Sequence, residues 1–343
     1  MRKNVRRMKK LIMVAMFVVL AGCGRVEENS EPAETNMAKE VIRAENADSP
    51  QEEEIPEASD LLQNKMNYAG ELTKTERASI EWGKLSSDHM YYREVVTKDA
   101  QCAEYIEELC IYDEEIADTF VVHVSLPPAY DENKVYPMVV MTDGVWRLSD
   151  HPELRPLMTN GEIEDVILVS VGYPNDYECE QIRERDLVKE AESYLHFIVD
   201  NLVPYLSEVY SVDSSNLTLT GHSLGGYFGF FALFNSDTIG KNLFRNYYIG
   251  SPSMQAYTGL YDAYDYEEAY FSRKSNLDSN VYVTVGSEEP QGFCMPIERF
   301  IKTIQERSYS GLSLEYEVIE GYDHNTVFKP SIKNTLLKYY GKQ

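Results

Sequence analysis

The chain has few basic residues for its length. Its 343 residues include 32 lysines and arginines against 57 aspartates and glutamates, and the net charge at pH 7 is −25. Such a charge repels the phosphate backbone of nucleic acids and anionic lipid surfaces. We therefore expect no nucleic acid partner, and any attachment to a membrane must rest on something other than charge.

Metal-binding patterns are missing as well. The five cysteines and six histidines form neither a CxxC motif nor a histidine cluster, so we expect a site that needs no metal and no organic cofactor. His89 and His151 stand alone in the sequence and are expected to be surface histidines. In an exported protein the cysteines beyond the signal region can form disulfides, and their spacing leaves the pairing open: Cys102, Cys110, Cys179 and Cys294.

No hydrophobic run is long enough to cross a bilayer as a permanent helix. Six basic residues precede the apolar stretch 11–20, and Leu20-Ala21-Gly22-Cys23 comes directly after it. This arrangement resembles the signal of a bacterial lipoprotein, whose cysteine receives a diacylglycerol thioether. We expect residues 1–22 to be a signal peptide and Cys23 to anchor the protein on the extracytoplasmic face of the membrane, in the cell envelope. Ordinary cleavage that leaves a free cysteine is the alternative.

Aromatic residues are absent from 24–60, a stretch rich in glutamate, asparagine, serine and proline. Such a segment cannot bury enough apolar surface to offset the entropy lost on ordering. We expect a disordered acidic tether over 23–75. The remainder, 76–343, suits one α/β domain.

Short apolar runs alternate with helical patterns along this domain. A strand-rich opening is predicted over 79–126, where alternation near 120–126 puts His123 on the less buried face, away from the chemistry. Later strands are predicted at 137–144, 165–172, 217–220, 246–249, 280–285 and 314–319, and helices at 187–203, 294–308 and 330–340. This alternation predicts an α/β fold with a mostly parallel sheet and helices on both faces.

What the chain does contain is the motif Gly221-His222-Ser223-Leu224-Gly225, directly after the apolar run at 217–220. A serine on a tight strand-to-helix turn projects its hydroxyl from the end of a sheet, and side chains at both glycine positions would collide there. The following helix directs its free N–H groups back toward the serine. Ser223 is therefore the predicted nucleophile, with the N–H of Leu224 as an oxyanion donor.

A serine nucleophile needs a base and an acid that orients it. His324 is the one histidine after Ser223, and it follows the last predicted strand, as the chain order serine, acid, histidine requires. For the acid we favour Glu289, with Glu288 as the alternative. Asp323 is a third candidate, although its adjacency to the histidine makes the geometry awkward.

The second oxyanion donor is expected from the loop at 143–146, which follows an early strand. The N–H of Gly144, Val145 or Trp146 would point to the same oxygen as the N–H of Leu224. The sequence does not distinguish among these three.

At these motifs the chain resembles the esterase family of α/β-hydrolases, which includes enterochelin-type siderophore esterases, feruloyl and acetyl-xylan esterases, esterase D and the mycolyltransferases. The resemblance covers roughly 120–340 and rests on the opening Leu126-Pro127-Pro128-Ala129-Tyr130 with Tyr136-Pro137 and Asp143-Gly144, the segment Arg183-Glu184-Arg185-Asp186, the helix at 197–205, the Ser223 turn, and the acid and base at 286–289 and 324.

The resemblance implies an α/β-hydrolase fold and a site in which Arg183 and Trp146 contact the substrate, Arg183 through an anionic or carbonyl group. A salt bridge to a nearby carboxylate is the alternative for Arg183. Two departures concern the substrate. Leu187-Val188 stands where the family often has Thr-Pro, and Met254 rather than an aromatic pair follows Ser251-Pro252-Ser253, so an aromatic acyl group loses a stacking wall.

These features predict a serine esterase that acts on a small-molecule or glycan ester. A siderophore trilactone fits the resemblance, and an acylated polysaccharide (feruloyl or acetyl) is the alternative. Acyl transfer to an alcohol and a catalytically silent surface binding protein are further alternatives. One polar stretch contains five tyrosines, whose flat rings and hydroxyl groups suit a lid or a sugar platform: Tyr257, Tyr261, Tyr264, Tyr266 and Tyr270. We favour the interpretation that this stretch is an ordinary amphipathic surface segment.

The lipid anchor gives the first testable prediction. The mature protein should be recovered in the membrane fraction, with the mass of its N-terminal peptide increased by acyl chains on Cys23. A soluble, unlipidated mature protein would contradict it.

Overall fold

A computed structural model describes residues 83–84, 92–113, 115–173, 179–254 and 262–342. The predicted signal peptide, Cys23 and the tether lie outside these residues, as do His89, Tyr257 and Tyr261. Within the described residues, no helix is both long and apolar enough to cross a bilayer.

Among the described residues, nine strands form one sheet, which is antiparallel at one side and parallel through the rest. The strands are β1 (Gly83–Lys84), β2 (Ile106–Asp113), β3 (Asp118–Ser125), β4 (Tyr136–Met141), β5 (Ile167–Gly172), β6 (Val212–His222), β7 (Asn246–Gly250), β8 (Asn280–Gly286) and β9 (Ser313–Ile319). Their spatial order is β1-β2-β3-β5-β4-β6-β7-β8-β9. The neighbouring pairs β1–β2, β2–β3 and β3–β5 are antiparallel. The remaining neighbouring pairs, β5–β4, β4–β6, β6–β7, β7–β8 and β8–β9, are parallel.

Helices connect the strands and cover the sheet. They are α1 (Tyr92–Lys98), α2 (Cys102–Tyr105), α3 (Gly144–Arg147), α4 (His151–Thr159), α5 (Cys179–Glu184), α6 (Ala191–His196), α7 (Val203–Val209), α8 (Leu224–Phe234), α9 (Ala263–Arg273), α10 (Gln291–Arg307) and α11 (Phe328–Tyr340). A 3₁₀ turn spans Leu148–Asp150, and π-helical turns span Arg185–Lys189 and Phe197–Leu202.

Both faces of the central strands are buried, which explains their continuous apolar sequence. In β4, Val140 belongs to the buried apolar cluster that contains Leu195 and Phe228 on one face, whereas Val139 belongs to the cluster that contains Leu336 on the other. The first face is covered by α6 to α10 and the second by α4 and α11. This is the predicted α/β layering, with helices on both sides of a mostly parallel sheet.

The predicted strand-rich opening contains β1, β2 and β3, with helices α1 and α2 between the first two strands. Two expectations for the first half of the domain are wrong. His123 is 1% exposed, with Nε2 2.7 Å from an Oε2 atom of Glu108, and His151 is completely buried. His123 lies on β3 between β2 and β5, and α4, which begins at His151, packs its apolar residues against β4 and β5, so neither histidine reaches the surface. Burial, with a smaller contribution from His123, lowers the pKa of His151 to about 3.

The predicted helix 187–203 is part of a longer helical stretch, in which α5, α6 and α7 alternate with the two π-helical turns. Pro204 lies in the first turn of α7, directly after the second π-helical turn, so the helical stretch continues through the proline with a change of winding. Cys102, Cys110 and Cys294 are free thiols, so these three do not pair with one another.

Candidate active site

The predicted site residues converge at one edge of the sheet. Strands β4, β6, β7, β8 and β9 are consecutive neighbours and parallel, so their carboxyl ends lie side by side. Ser223 follows β6, Glu289 follows β8 and His324 follows β9. Ligand sites of open α/β sheets lie at this edge.

Ser223 occupies a strained turn between β6 and α8. Its φ of 60° and ψ of −115° lie in a region that L-residues rarely adopt. The N–H of Ser223 donates to the carbonyl of Gly250 at 2.9 Å, and its carbonyl accepts from the N–H of Tyr227 at 3.0 Å. A Cβ atom on Gly221 would lie 2.2 Å from the carbonyl oxygen of Gly225, so the turn requires glycine at 221.

A continuous chain of hydrogen bonds connects Ser223, His324 and Glu289. The Oγ of Ser223 lies 3.0 Å from Nε2 of His324, and Nδ1 of His324 lies 2.9 Å from an Oε2 atom of Glu289. The side chain of Glu289 is fully buried, and that of His324 is one-third exposed. This is the geometry in which a base takes a proton from a serine while an acid orients the base.

The other two acid candidates lie elsewhere. Glu288 is exposed to solvent, and its N–H donates to the carbonyl of Tyr322. The carboxylate of Asp323 accepts hydrogen bonds from the N–H groups of Asn325 and Thr326 and so closes its own turn. Of the three candidates, Glu289 is the one that the fold brings to His324.

The environment of Glu289 favours its ionised form. Burial raises the pKa of this carboxyl group, but hydrogen bonds from His324, the N–H of Gly286 and the hydroxyl of Ser251 together lower it below its ordinary value. Gly286 donates at 2.8 Å and Ser251 at 2.5 Å, both to Oε1. The carboxylate therefore carries its charge at neutral pH, and Oε2 is left to accept the Nδ1–H of His324.

Two rings hold the imidazole of His324. Phe293 packs edge-on against it, with ring centroids 4.9 Å apart, and the ring of His222 lies 4.8 Å away. Nε2 of His222 donates to the carbonyl of His324 at 2.8 Å, and burial keeps the pKa of His222 well below its ordinary value. Sequence reasoning missed this contribution of His222, which supports the histidine loop as a neutral donor.

The expected oxyanion donors begin two helices that start at the same edge. Leu224 is the first residue of α8, and Gly144 and Val145 begin α3. The first N–H groups of a helix have no acceptor within it. The N–H of Trp146 donates to the carbonyl of Asp143 at 2.9 Å, which leaves Gly144 and Val145 as the candidates for the second donor.

Arg183 forms a buried ion pair beneath this loop. Its Nε and Nη2 atoms donate to the two carboxylate oxygens of Asp143 at 2.7 and 3.2 Å, and its guanidinium lies 4.7 Å from the ring centre of Trp146. Burial lowers the pKa of Arg183, but the charge and hydrogen bonds of Asp143 outweigh this effect and raise it. The structure thus shows the salt-bridge alternative, with the half-buried Trp146 beside it.

Two serines at the site had no predicted role. The Oγ of Ser253 lies 3.0 Å from the Oγ of Ser223, and Ser251 donates to Glu289 as described. Both belong to the Ser-Pro-Ser segment. At this segment the sequence predicted only that the residues after it lack an aromatic stacking wall.

Two of the described tyrosines of the tyrosine-rich segment, Tyr266 and Tyr270, pack inward. Tyr266 lies edge-on to Phe231. Tyr264 is exposed and lies edge-on to Phe300. Tyr270 is buried and donates to the carbonyl of Asn276. These contacts are those of an amphipathic helix, α9, that covers the core.

The chain is similar to known proteins in family and in fold. A family model described as "Putative esterase" matches residues 114–338. Siderophore hydrolase EstB from Aspergillus nidulans is 19% identical with a TM-score of 0.59, covering 69% of this chain and 96% of its own. An IroE-like serine hydrolase from Shewanella oneidensis is 17% identical with a TM-score of 0.60, covering 68% and 79%. A feruloyl esterase module from Clostridium thermocellum is 17% identical with a TM-score of 0.51, covering 68% and 87%.

These structural likenesses show that the chain has the α/β-hydrolase fold. No curated protein matches the chain.

The turn at Ser223 gives a stability prediction. Gly221→Ala should lower the free energy of unfolding by about 1–3 kcal/mol, because its Cβ meets backbone that cannot move aside. Gly292→Ala is the matched control, since its Cβ would enter open space within α10, and it should be neutral or stabilise by up to about 1 kcal/mol. Urea denaturation measures both, and equal stability of the two variants would contradict the close approach at Gly221.

Proposed function

We propose that this chain, which belongs to the esterase family, is a serine esterase with Ser223 as nucleophile, His324 as base and Glu289 as the orienting acid. Membership of the family makes it a carboxylic ester hydrolase. The observation that carries the residue assignment is the hydrogen-bonded chain from Ser223 through His324 to the buried carboxylate of Glu289.

In the proposed mechanism, Oγ of Ser223 attacks the ester carbonyl carbon while Nε2 of His324 takes the hydroxyl proton. Glu289 accepts the Nδ1–H of His324 throughout and stabilises the imidazolium that forms. The N–H of Leu224 and the N–H of Gly144 or Val145 hold the oxyanion of the tetrahedral intermediate.

Collapse of that intermediate breaks the bond to the leaving alcohol, which takes its proton from His324. A water molecule then enters, His324 accepts one of its protons, and the hydroxide attacks the acyl carbon bound to Ser223. The second tetrahedral intermediate collapses by breaking its bond to Oγ of Ser223, which takes the proton from His324 as the acid is released. The catalytic groups named in these steps are side chains and backbone N–H groups of residues that the structure describes.

For the substrate we propose a siderophore ester of the trilactone type. Support comes from the resemblance of the sequence motifs and from the two neighbours that are named as a siderophore hydrolase and an IroE-like serine hydrolase. A feruloylated or acetylated polysaccharide is the second candidate, favoured by the feruloyl esterase module among the neighbours. Rates on a trilactone and on feruloylated and acetylated xylan separate the two, and failure on all of them would contradict both.

The lipid anchor at Cys23 and the position in the cell envelope belong to the same proposal. Their support is the sequence of residues 1–23 alone. Such an esterase would act on esters that reach the extracytoplasmic face of the membrane. Acyl transfer would differ only in that an alcohol replaces the water in the second half of the reaction.

The assignment of the nucleophile and the acid gives one prediction. Ser223→Ala should abolish hydrolysis of p-nitrophenyl butyrate. Glu289→Gln should lower kcat by roughly 10³–10⁴-fold, because the amide no longer holds the Nδ1–H tautomer of His324. The control Glu288→Gln, at an exposed position, should retain the parent rate. Turnover that survives in Ser223→Ala, or a loss at 288 with none at 289, would contradict the assignment.

Arg183 gives a second prediction. Since both Asp143 oxygens bind its guanidinium, we propose that Arg183 positions the oxyanion loop, whereas the sequence favoured substrate contact and an ion pair equally. Arg183→Met should lower kcat by about 10²-fold with KM within a factor of two. Lys189→Met, which breaks an exposed pair with Glu184 in the same stretch, is the control. A raised KM at unchanged kcat would favour substrate binding instead.

A further inference from the structure

The segment Ser251-Pro252-Ser253, which we name the SPS turn, follows β7 directly. Because β7 lies between β6 and β8, the SPS turn lies between Ser223 and Glu289. The backbone of Ser251 has a φ of 38°, and its N–H donates to the carbonyl of Thr284 at 2.7 Å, which fastens the turn to β8.

The first serine of the SPS turn contacts the acid. The Oγ of Ser251 donates to Oε1 of Glu289 at 2.5 Å, whereas Oε2 of the same carboxylate faces His324. Ser251 is completely buried, so water does not compete for this bond. The hydroxyl therefore fixes the rotation of the carboxylate that presents Oε2 to the histidine.

The third residue of the turn contacts the nucleophile. The N–H of Ser253 donates to the carbonyl of Ser223 at 3.0 Å, and the two hydroxyl oxygens are also 3.0 Å apart. Ser223 has a single O–H, which must point to Nε2 of His324 for proton transfer. In that reactive arrangement Ser253 is necessarily the donor and Ser223 the acceptor.

The spacing of these two contacts is fixed by the backbone. Pro252 restricts the turn through its ring. A Cβ atom on Gly226 would lie 2.5 Å from the carbonyl oxygen of Gly250 and 3.1 Å from Cα of Pro252. The absence of a side chain at 226 therefore lets the first turn of α8 approach the SPS turn closely enough for both hydroxyl contacts.

We propose that the SPS turn is a part of the catalytic apparatus that holds both ends of the triad. Ser253 is a catalytic residue that directs the Ser223 proton to His324, and Ser251 is a positioning residue that acts through Glu289. This inference rests on the proposed function of Ser223, His324 and Glu289.

The two serines should have different kinetic signatures. Without Ser253, the O–H of Ser223 adopts orientations that point away from His324 as well as the reactive one. The rate of acylation therefore falls while substrate binding is unchanged. Without Ser251, the carboxylate loses a donor and binds the proton-bearing imidazole more strongly. The acidic limb of the kcat/KM profile is therefore expected at higher pH in this variant.

Other titratable groups face this pair and remain in place in both variants. They are His222 and Asp323 beside the histidine, and Tyr248, Cys294 and Tyr316 beside the carboxylate. A shift seen in Ser251→Ala and not in Ser253→Ala is therefore assigned to the Ser251 hydroxyl.

The test of Ser253 measures the acylation burst with p-nitrophenyl butyrate. Ser253→Ala should lower the burst rate constant about tenfold while the substrate Kd, taken from the concentration dependence of the burst, stays within a factor of two, and Ser253→Thr, which keeps the hydroxyl, should recover most of the rate. Ser272→Ala, an exposed serine bonded within α9, is the control. Thermal unfolding checks that the variants fold, and a burst in Ser253→Ala equal to that of Ser272→Ala would overturn the role of Ser253.

The test of Ser251 compares pH profiles. Ser251→Ala should move the acidic limb of kcat/KM to higher pH by about half a unit, whereas Ser253→Ala and Ser272→Ala leave it in place. An unmoved limb, or the same shift in all three, would overturn the role of Ser251. Ser223→Ala is run alongside, and residual turnover in it would refute the proposed function itself. If Ser223→Ala loses turnover but Ser251→Ala and Ser253→Ala both behave like Ser272→Ala, only the role of the SPS turn is refuted.

Discussion

The site depends on the strained backbone of Ser223, which the fold holds at φ 60° and ψ −115°. A conformation of this kind costs about 1–3 kcal/mol. It persists because α8, which begins one residue later, is buried from Gly225 to Phe234. Burial of its apolar side chains, each contributing about 1.5–3 kcal/mol, outweighs the strain and prevents the turn from relaxing.

Although the chain has a large negative net charge, ion pairs and hydrogen bonds compensate the buried carboxylates around this turn. Glu289 is compensated by His324 and two further donors, and Asp143 is compensated by Arg183. A buried carboxylate without such partners would take up a proton or destabilise the fold. The arrangement places one charged carboxylate against His324 and the other against Arg183.

The sequence predicted the central part of this account. The glycine–serine motif and the single later histidine predicted that Ser223 and His324 would meet, and the strand pattern predicted the parallel sheet, because local spacing determines these features. The partners of Arg183 and Ser251 could not be predicted, since each contact joins residues at the ends of different strands. The burial of His151 depends on which helix covers the sheet, and periodicity along one segment does not contain that information.

The most direct test of the central claim is peptide mass mapping after reaction with diisopropyl fluorophosphate, which modifies activated serines. The account predicts one adduct per chain, located on Ser223, whose formation parallels the loss of ester hydrolysis and disappears in His324→Ala. An adduct on another serine, or an unmodified Ser223 in protein that has lost its activity, would contradict the assignment of the nucleophile.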